Sequence, residues 1–138
     1  MRHWLLKSEP GTYSWDDLVK DKKTCWDGVR NYQARNFLSE IKKGDAAFLY
    51  HSGEDKCIVG KVEISRDPFP DPTAKEGENW VSVELKPLKK AAKPLDLKSI
   101  KANPAFKEMY LVRNSRLSVS PLTENEAKEI EKLISSAK

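Results

Sequence analysis

Extended apolar segments follow one another through the middle of this 138-residue chain, with few helical patterns between them. Residues 46–51 and 57–64 are strand-like, and a five-residue connection with one glycine joins them, which is typical of an antiparallel hairpin. Residues 80–85 form another strand-like run. Because helices do not separate these strands regularly, as βαβ units require, the order predicts an α+β protein.

Helices are predicted before and after these strands. Ser14 with Asp17 has the spacing of a capping box ahead of a short helix, whose predicted apolar face holds Trp15, Leu18 and Val19. Asn31 has the residue type of an N-cap for a second helix. The clearest helix is the last, predicted over residues 123–137, where Thr123 and Glu126 form a second capping box.

Four shorter patterns occur in the rest of the chain. Residues 3–7 and 116–121 are strand-like, and Asp96 is placed to cap a short helix that Asn103-Pro104 interrupts. Residues 66–78 contain three prolines and a glycine, which predicts a loop. We therefore expect a single domain over residues 1–138, with a small mixed barrel or strongly curved sheet and helices packed against it.

Composition excludes some classes of protein. No apolar run approaches the roughly 20 residues that span a bilayer, so no membrane association is expected. Charge returns at Lys7, too early for a signal peptide, and Cys25 and Cys57 lack close spacing, so we expect reduced thiols in the cytoplasm. The net charge of +4 is compatible with a nucleic-acid partner but does not establish one.

Signals for catalysis or metal binding are weak. Nucleophile-elbow, zincin, Walker and dinucleotide-binding motifs are all missing from the sequence. His3, Cys25, His51 and Cys57 lack the paired spacing of a zinc site. Adjacent strand residues point to opposite faces, so His51 and Ser52 are poorly placed as a base and a nucleophile. We expect no catalytic residues, no metal and no cofactor.

A binding site has better support. Residues 26–36 place Trp26, Arg30, Asn31 and Arg35 around the start of the second helix, where backbone N–H groups and arginines favour a phosphate. A capped amphipathic helix with solvated arginines explains the same spacing, and that alternative remains open here.

The four tryptophans differ in their expected roles. Trp4 and Trp15 lie in apolar patterns and are expected in the core, whereas Trp80 is undecided. Trp26 is the candidate for stacking on a ligand, because it lies in what we interpret as a short turn that a glycine terminates. Lysines that follow the 80–85 strand are expected to form a solvated edge. These are residues 86, 89, 90 and 93.

Four segments of the sequence together resemble one known family. They are WLLKSEP at residues 4–10, WDGVRNYQARN at residues 26–36, YHS at residues 50–52 and RLSV at residues 116–119. Over about residues 2–122 the chain resembles the EVE domain family. The resemblance implies a PUA-like fold, a curved and nearly closed β-barrel flanked by helices, and kinship with YTH and ASCH domains.

The same resemblance implies a non-catalytic reader of nucleic acid. Such a reader admits one flipped or unpaired base into the barrel pocket, such as 5-methylcytosine or 5-hydroxymethylcytosine in DNA, or a modified base in RNA. The residues implied to border the base are Ser8, Trp26, Asn31, His51 and Ser52. The residues expected to contact phosphates are Lys7, Arg30, Arg35, Arg113 and Arg116, with Arg113 and Arg116 as alternatives for one position.

Two other functions stay open from the sequence. One is an ASCH-like hydrolase or nuclease acting on nucleic acid or a nucleoside, with His51, Lys7 and Glu9 as acid–base groups. The other is a module that keeps the fold but binds a small molecule or a protein. Without a heptad pattern or a large apolar patch, we expect a monomer.

Overall fold

A computed structural model describes residues 2–9, 11, 13–27, 29, 31–113 and 117–135 of the chain. Within these residues the strands are β1 (His3–Ser8), β2 (Thr24–Trp26), β3 (Ala46–His51), β4 (Cys57–Pro70), β5 (Val81–Asp96) and β6 (Val119–Leu122). The helices are α1 (Trp15–Asp21), α2 (Tyr32–Glu40), α3 (Leu97–Ala102), α4 (Tyr110–Arg113) and α5 (Glu124–Ser135), with a 3₁₀ turn at Pro104–Phe106.

The six strands form one sheet in the order β2-β5-β4-β3-β1-β6. Only β1 and β3 pair in parallel in this described sheet, and the predicted hairpin of β3 and β4 is confirmed. The sheet is curled but not closed, so β2 and β6 are its two edges. Helix α2 packs against both β5 and β6, near the two ends of the strand order. The predicted α+β class and the curved sheet are confirmed.

Side chains alternate between the two faces of the sheet along each strand, and each face is covered by a buried apolar cluster. Trp4 and Leu6 of β1 belong to an apolar cluster that also contains residues of α1 and α2. Leu5 belongs to a second cluster, with residues of α3 and α5. Trp4 and Trp15 are in the core, as the sequence predicts.

Helix α1 packs so closely on the sheet that a glycine is needed beneath it. A Cβ atom built at Gly60 of β4 would lie 2.5 Å from the ring of Trp15. Only a residue without a side chain allows this approach of the indole to the strand.

The predicted helix caps are confirmed by hydrogen bonds. The Ser14 and Thr123 capping boxes are both formed, and the Asn31 side chain accepts from the N–H group of Ala34 at 2.9 Å. Asp96 caps α3. The last helix is described as far as Ser135, and the remainder of the predicted span, residues 136–137, lies outside the described residues.

The predicted loop over residues 66–78 is wrong in its first part, because β4 continues to Pro70. The pairing of β4 with β5 shifts register between Arg66 and Phe69, so Pro68 lies in a bulge where no ladder hydrogen bond is lost. Strand β5 likewise extends beyond the predicted end at residue 85. The pairing of β5 with β2 covers Val83–Leu85 only. Beyond Leu85, β5 therefore has β4 on one side and no strand of the described sheet on the other, and a proline can point its missing N–H group to that open side.

Two other local predictions are wrong. Trp26 lies at the end of the edge strand β2 and not in a turn, because Thr24–Trp26 pair with β5. Val19, predicted on the apolar face of α1, is half exposed. No helix in the described part of the chain is long and apolar enough to cross a membrane.

Candidate functional site

A cleft with a volume of about 560 Å³ opens on the side where the curled sheet fails to close. One wall comes from the end of β1 and the segment before β6, and the facing wall comes from the edge strand β2 and the connection to α2. The lining residues are Lys7, Ser8, Glu9, Tyr13, Thr24, Cys25, Trp26, Asp27, Val29, Asn31 and Ser118. The gap between the two sheet edges is therefore the cleft.

Trp26 is partly exposed in this cleft, and the backbone fixes its position. In the pairing of β2 with β5, Trp26 lies opposite Val83. The backbone carbonyl oxygen of Trp26 accepts a hydrogen bond of 3.0 Å from the buried Ser82 hydroxyl. Side chains alternate along β2, so Trp26 and Thr24 are half-buried while Cys25 is exposed. The indole is thus held at the cleft without being sealed in the core.

A second aromatic residue, Tyr13, also lines the cleft. Its N–H group donates to the carbonyl oxygen of Glu9 at 2.8 Å, and its hydroxyl donates to Asp21 at 2.8 Å. Desolvation raises the pKa of Tyr13, so its hydroxyl stays protonated at neutral pH. The sequence analysis missed this residue, because one tyrosine between a strand and a helix carries no distinctive signal.

Polar groups around the cleft have defined hydrogen-bonding capacity. Ser8 is buried and its hydroxyl donates to the Tyr13 carbonyl at 2.5 Å, so its oxygen remains as an acceptor. The side-chain oxygen of Asn31 is used as the helix cap, which leaves its amide nitrogen as a donor. Glu9 and Asp27 add exposed carboxylates as acceptors.

Lys7 is a half-buried cation at the same cleft. Burial lowers the pKa of Lys7, and its ammonium lies 5.8 Å from the centre of the Tyr50 ring. The backbone N–H of Lys7 donates to the Ser118 carbonyl at 2.9 Å and joins the end of β1 to the segment before β6. With Glu9 and Asp27 also present, the described lining carries two carboxylates to one ammonium. That balance suits a ligand with N–H donors better than a phosphate inside the cleft.

His51 and Ser52 are not among the residues that line the cleft. His51 is buried, its Nε2 accepts the N–H of Trp15 at 3.0 Å, and its Nδ1 lies 3.4 Å from an Asp55 carboxylate oxygen. Ser52 donates through its N–H group to the Ser8 carbonyl at 2.8 Å. The two residues therefore hold α1 and the end of β1 in place beside the cleft. An acid–base role for His51 does not fit, since its Nε2 lone pair is already used.

The arginines predicted to contact phosphates lie in different places. Arg35 of α2 lies over two aromatic rings, 5.0 Å from the centre of Tyr32 and 5.7 Å from that of Trp80. Arg113 is exposed and pairs with Glu108 at 2.6 Å. Arg30 and Arg116 lie outside the described residues.

Trp80, whose role the sequence left undecided, is not among the residues that line the cleft, and its ring stacks on that of Tyr32 with centres 5.1 Å apart. Among the predicted site residues that are described, the cleft gathers Lys7, Ser8, Trp26 and Asn31. No group of three or more His, Cys, Asp or Glu side chains that could hold a metal occurs in the described parts of the chain.

The fold and the cleft together define a class of protein. A curled, unclosed α+β sheet with an aromatic-lined cleft between its edges is a protein of the PUA-like fold type. Within that class the chain belongs to the EVE domain family, whose sequence model matches residues 2–133.

Relatives agree with this assignment. Thymocyte nuclear protein 1 of Homo sapiens is 35% identical, and the match covers 90% of this chain and 70% of that protein. A solved structure of an Agrobacterium tumefaciens protein is 41% identical with a TM-score of 0.93, covering 100% of this chain and 96% of that one. Human THYN1, solved in complex with 5-methylcytosine-containing DNA, is 33% identical with a TM-score of 0.90 and 99% coverage of both chains.

Family membership supports a binding protein and not an enzyme. An ASCH protein from Zymomonas mobilis also matches, with a TM-score of 0.61, but it is 10% identical. At that identity the likeness shows a shared fold alone. The ASCH-like hydrolase alternative therefore gains no support from it.

Proposed function

We propose that this protein binds DNA and takes one modified cytosine base into the cleft without changing it chemically. The observation that carries the proposal is the partly exposed indole of Trp26 in a cleft of about 560 Å³. That volume lies in the range of ligand sites, roughly 300–1,000 Å³. The related human protein solved with 5-methylcytosine-containing DNA supports the choice of nucleic acid.

A base that leaves the DNA stack loses its stacking and pairing energy, a few kcal/mol, and the pocket must return it. Stacking of a base on an aromatic side chain contributes about 1–3 kcal/mol. Trp26 offers such a face, and Tyr13 and Val29 add apolar surface. This cleft therefore contains the groups that offset the cost of flipping.

The polar lining favours cytosine. The exocyclic amine of cytosine is a donor, and carboxylates are its usual acceptors in proteins. Glu9 and Asp27 supply carboxylates, while the Asn31 amide nitrogen supplies a donor for the ring carbonyl. Lys7, at the cleft, and Arg35, outside it, are the described cations that we propose to contact the phosphates. Their contribution gives affinity that weakens with salt.

The central test replaces the stacking surface. Trp26→Ala should lower the affinity for an oligonucleotide with one 5-methylcytosine at least tenfold, measured by fluorescence polarisation with single- and double-stranded DNA. Trp26→Phe is the matched control, since it keeps an aromatic face and should retain most of the binding. Far-UV circular dichroism establishes that both variants fold. Unchanged affinity of Trp26→Ala would remove Trp26 from the binding site.

The same titration separates the alternatives. Matching RNA oligonucleotides with modified and unmodified bases are titrated in parallel, and tighter binding of RNA would overturn the choice of DNA. Recovery of intact oligonucleotide after incubation is expected from a reader, whereas cleavage or base modification would indicate an enzyme. If the affinity for oligonucleotides does not fall with rising salt, the protein makes no phosphate contacts, which would indicate a module that no longer binds nucleic acid.

A further inference from the structure

Next to the cleft lies a cluster of three planar side chains, Tyr32, Arg35 and Trp80, which we call the aromatic platform. Tyr32 and Trp80 stack with ring centres 5.1 Å apart and an angle of 29° between their planes. The Arg35 guanidinium carbon lies 5.0 Å from the centre of the Tyr32 ring and 5.7 Å from that of Trp80. The platform thus combines two stacked rings and one cation.

The platform is held by two separate parts of the fold. Tyr32 and Arg35 lie one turn apart at the start of α2, and Trp80 directly precedes β5. The carbonyl oxygen of Trp80 accepts the N–H of the buried Asp71 at 2.9 Å, which closes the connection between β4 and β5 at its base. The fold therefore sets the positions of the two backbone segments that carry the rings.

Tyr32 remains open to solvent although Trp80 covers part of it. It is 67% exposed, the highest value among the large apolar side chains in the described residues. An aromatic ring that is oriented by one stacking partner and still has most of its surface in water is suited to stack on a second planar group. The adjacent guanidinium of Arg35 favours an anionic ligand, such as a strand with phosphates.

The platform is continuous with the cleft. Tyr32 follows Asn31, which lines the cleft, and their Cα atoms are separated by one peptide unit, about 3.8 Å. Tyr32, the first residue of α2, thus lies at the edge of the cleft, where the nucleotides that flank a base held inside would leave it.

We propose that the aromatic platform stacks the DNA base that flanks the modified cytosine, with Arg35 beside the connecting phosphate. This inference rests on the proposed function and adds a second contact site to it. Stacking tolerates any base, because every base has a π-face. The platform then strengthens binding without selecting the modification.

The test compares variants of Tyr32 on two oligonucleotides. Both carry a central 5-methylcytosine, and one of them has abasic sites at both flanking positions. Tyr32→Ala should lower the affinity for the first oligonucleotide about tenfold, which is about 1.4 kcal/mol. On the abasic oligonucleotide, the Tyr32→Ala variant should bind as tightly as the protein without a substitution. Tyr32→Phe keeps the ring and should match the unmodified protein on both.

Each outcome decides the proposal. Equal losses on the two oligonucleotides would overturn it, since Tyr32 would then act on something other than a flanking base, and so would a Tyr32→Ala variant without any loss. If Trp26→Ala weakens binding and Tyr32→Ala does not, the platform fails while the proposed function stands. If the unmodified protein binds neither oligonucleotide, the proposed function fails, and the platform proposal with it.

Discussion

Asp45 shows how single contacts hold the start of the sheet. This buried carboxylate accepts three hydrogen bonds, from the N–H of Arg2 at 3.0 Å, the N–H of Lys42 at 3.0 Å and the indole nitrogen of Trp4 at 3.1 Å. Burial acts to raise the pKa of Asp45, but these donors outweigh it and the pKa is lowered. The ionised form therefore contributes to stability.

Replacing Asp45 tests this contribution. An unfolded aspartate has a pKa of about 3.9, so the stabilisation is present above that pH and is lost as the pH falls through the lower folded value. Asp45→Asn should reduce the free energy of unfolding by about 2 kcal/mol at pH 7, because charge-assisted hydrogen bonds are weakened. Urea unfolding followed at several pH values between 7 and 3 measures both effects. A variant with the same stability and the same acid dependence would contradict this account.

At the scale of elements, the start of α2 contributes both to the stability of the fold and to the proposed base contact. Asn31 caps the helix through its oxygen and lines the cleft, where its amide nitrogen is the remaining donor. The helix packs against β5 and β6, so its start is fixed relative to both sides of the cleft. One residue thus serves the fold and the proposed base contact through different atoms.

Two substitutions separate these roles of Asn31. Asn31→Ser keeps a good N-cap but removes the amide donor, whereas Asn31→Ala removes both. Asn31→Ala should lose about 1 kcal/mol of stability in thermal unfolding, and Asn31→Ser should stay close to the unmodified protein. Both should bind a 5-methylcytosine oligonucleotide about fivefold more weakly, the value of one hydrogen bond of about 1 kcal/mol. Full binding by Asn31→Ser would show that the amide makes no contact with the base.

At the scale of the whole molecule, two apolar clusters share one sheet. Trp4 and Leu6 are in one cluster, and Leu5 between them is in the other, so neither cluster can be lost without exposing a face of β1. No boundary divides the described sheet, since its six strands form a continuous order. This arrangement favours a single cooperative unit.

We therefore expect two-state unfolding, as is usual for single domains below 150 residues. Three of the four tryptophans, Trp4, Trp15 and Trp26, lie in or against one apolar cluster, so tryptophan fluorescence reports mainly on that side of the sheet, whereas far-UV circular dichroism reports on the whole backbone. Urea transitions recorded with the two probes should have the same midpoint. Separate midpoints would show that the two sides of the sheet unfold independently and would contradict a single domain.

Much of the fold could be predicted because its signals are local. Helix caps such as Ser14, Asn31 and Thr123 act on N–H groups three residues away, and strand alternation needs only neighbouring residues. The extent of β4 and β5 could not be predicted in this way. Their prolines are tolerated because of bulges and an open edge, which depend on pairing with distant strands.

The site was predictable only through its motifs, and its geometry required the fold. Residue types and spacing predicted an α+β chain with capped helices and pointed to Trp26, and the family resemblance added Lys7 as a candidate binding residue. The curl of the sheet places Trp26, Lys7 and Tyr13 together at the cleft. It leaves His51, whose imidazole supports α1, outside the lining. Such a cleft forms where two edge strands fail to meet, and Trp26 reaches it through pairing with Val83, 57 positions along the chain. Contacts over that separation leave no trace in local spacing, because they arise from the packing of the whole sheet.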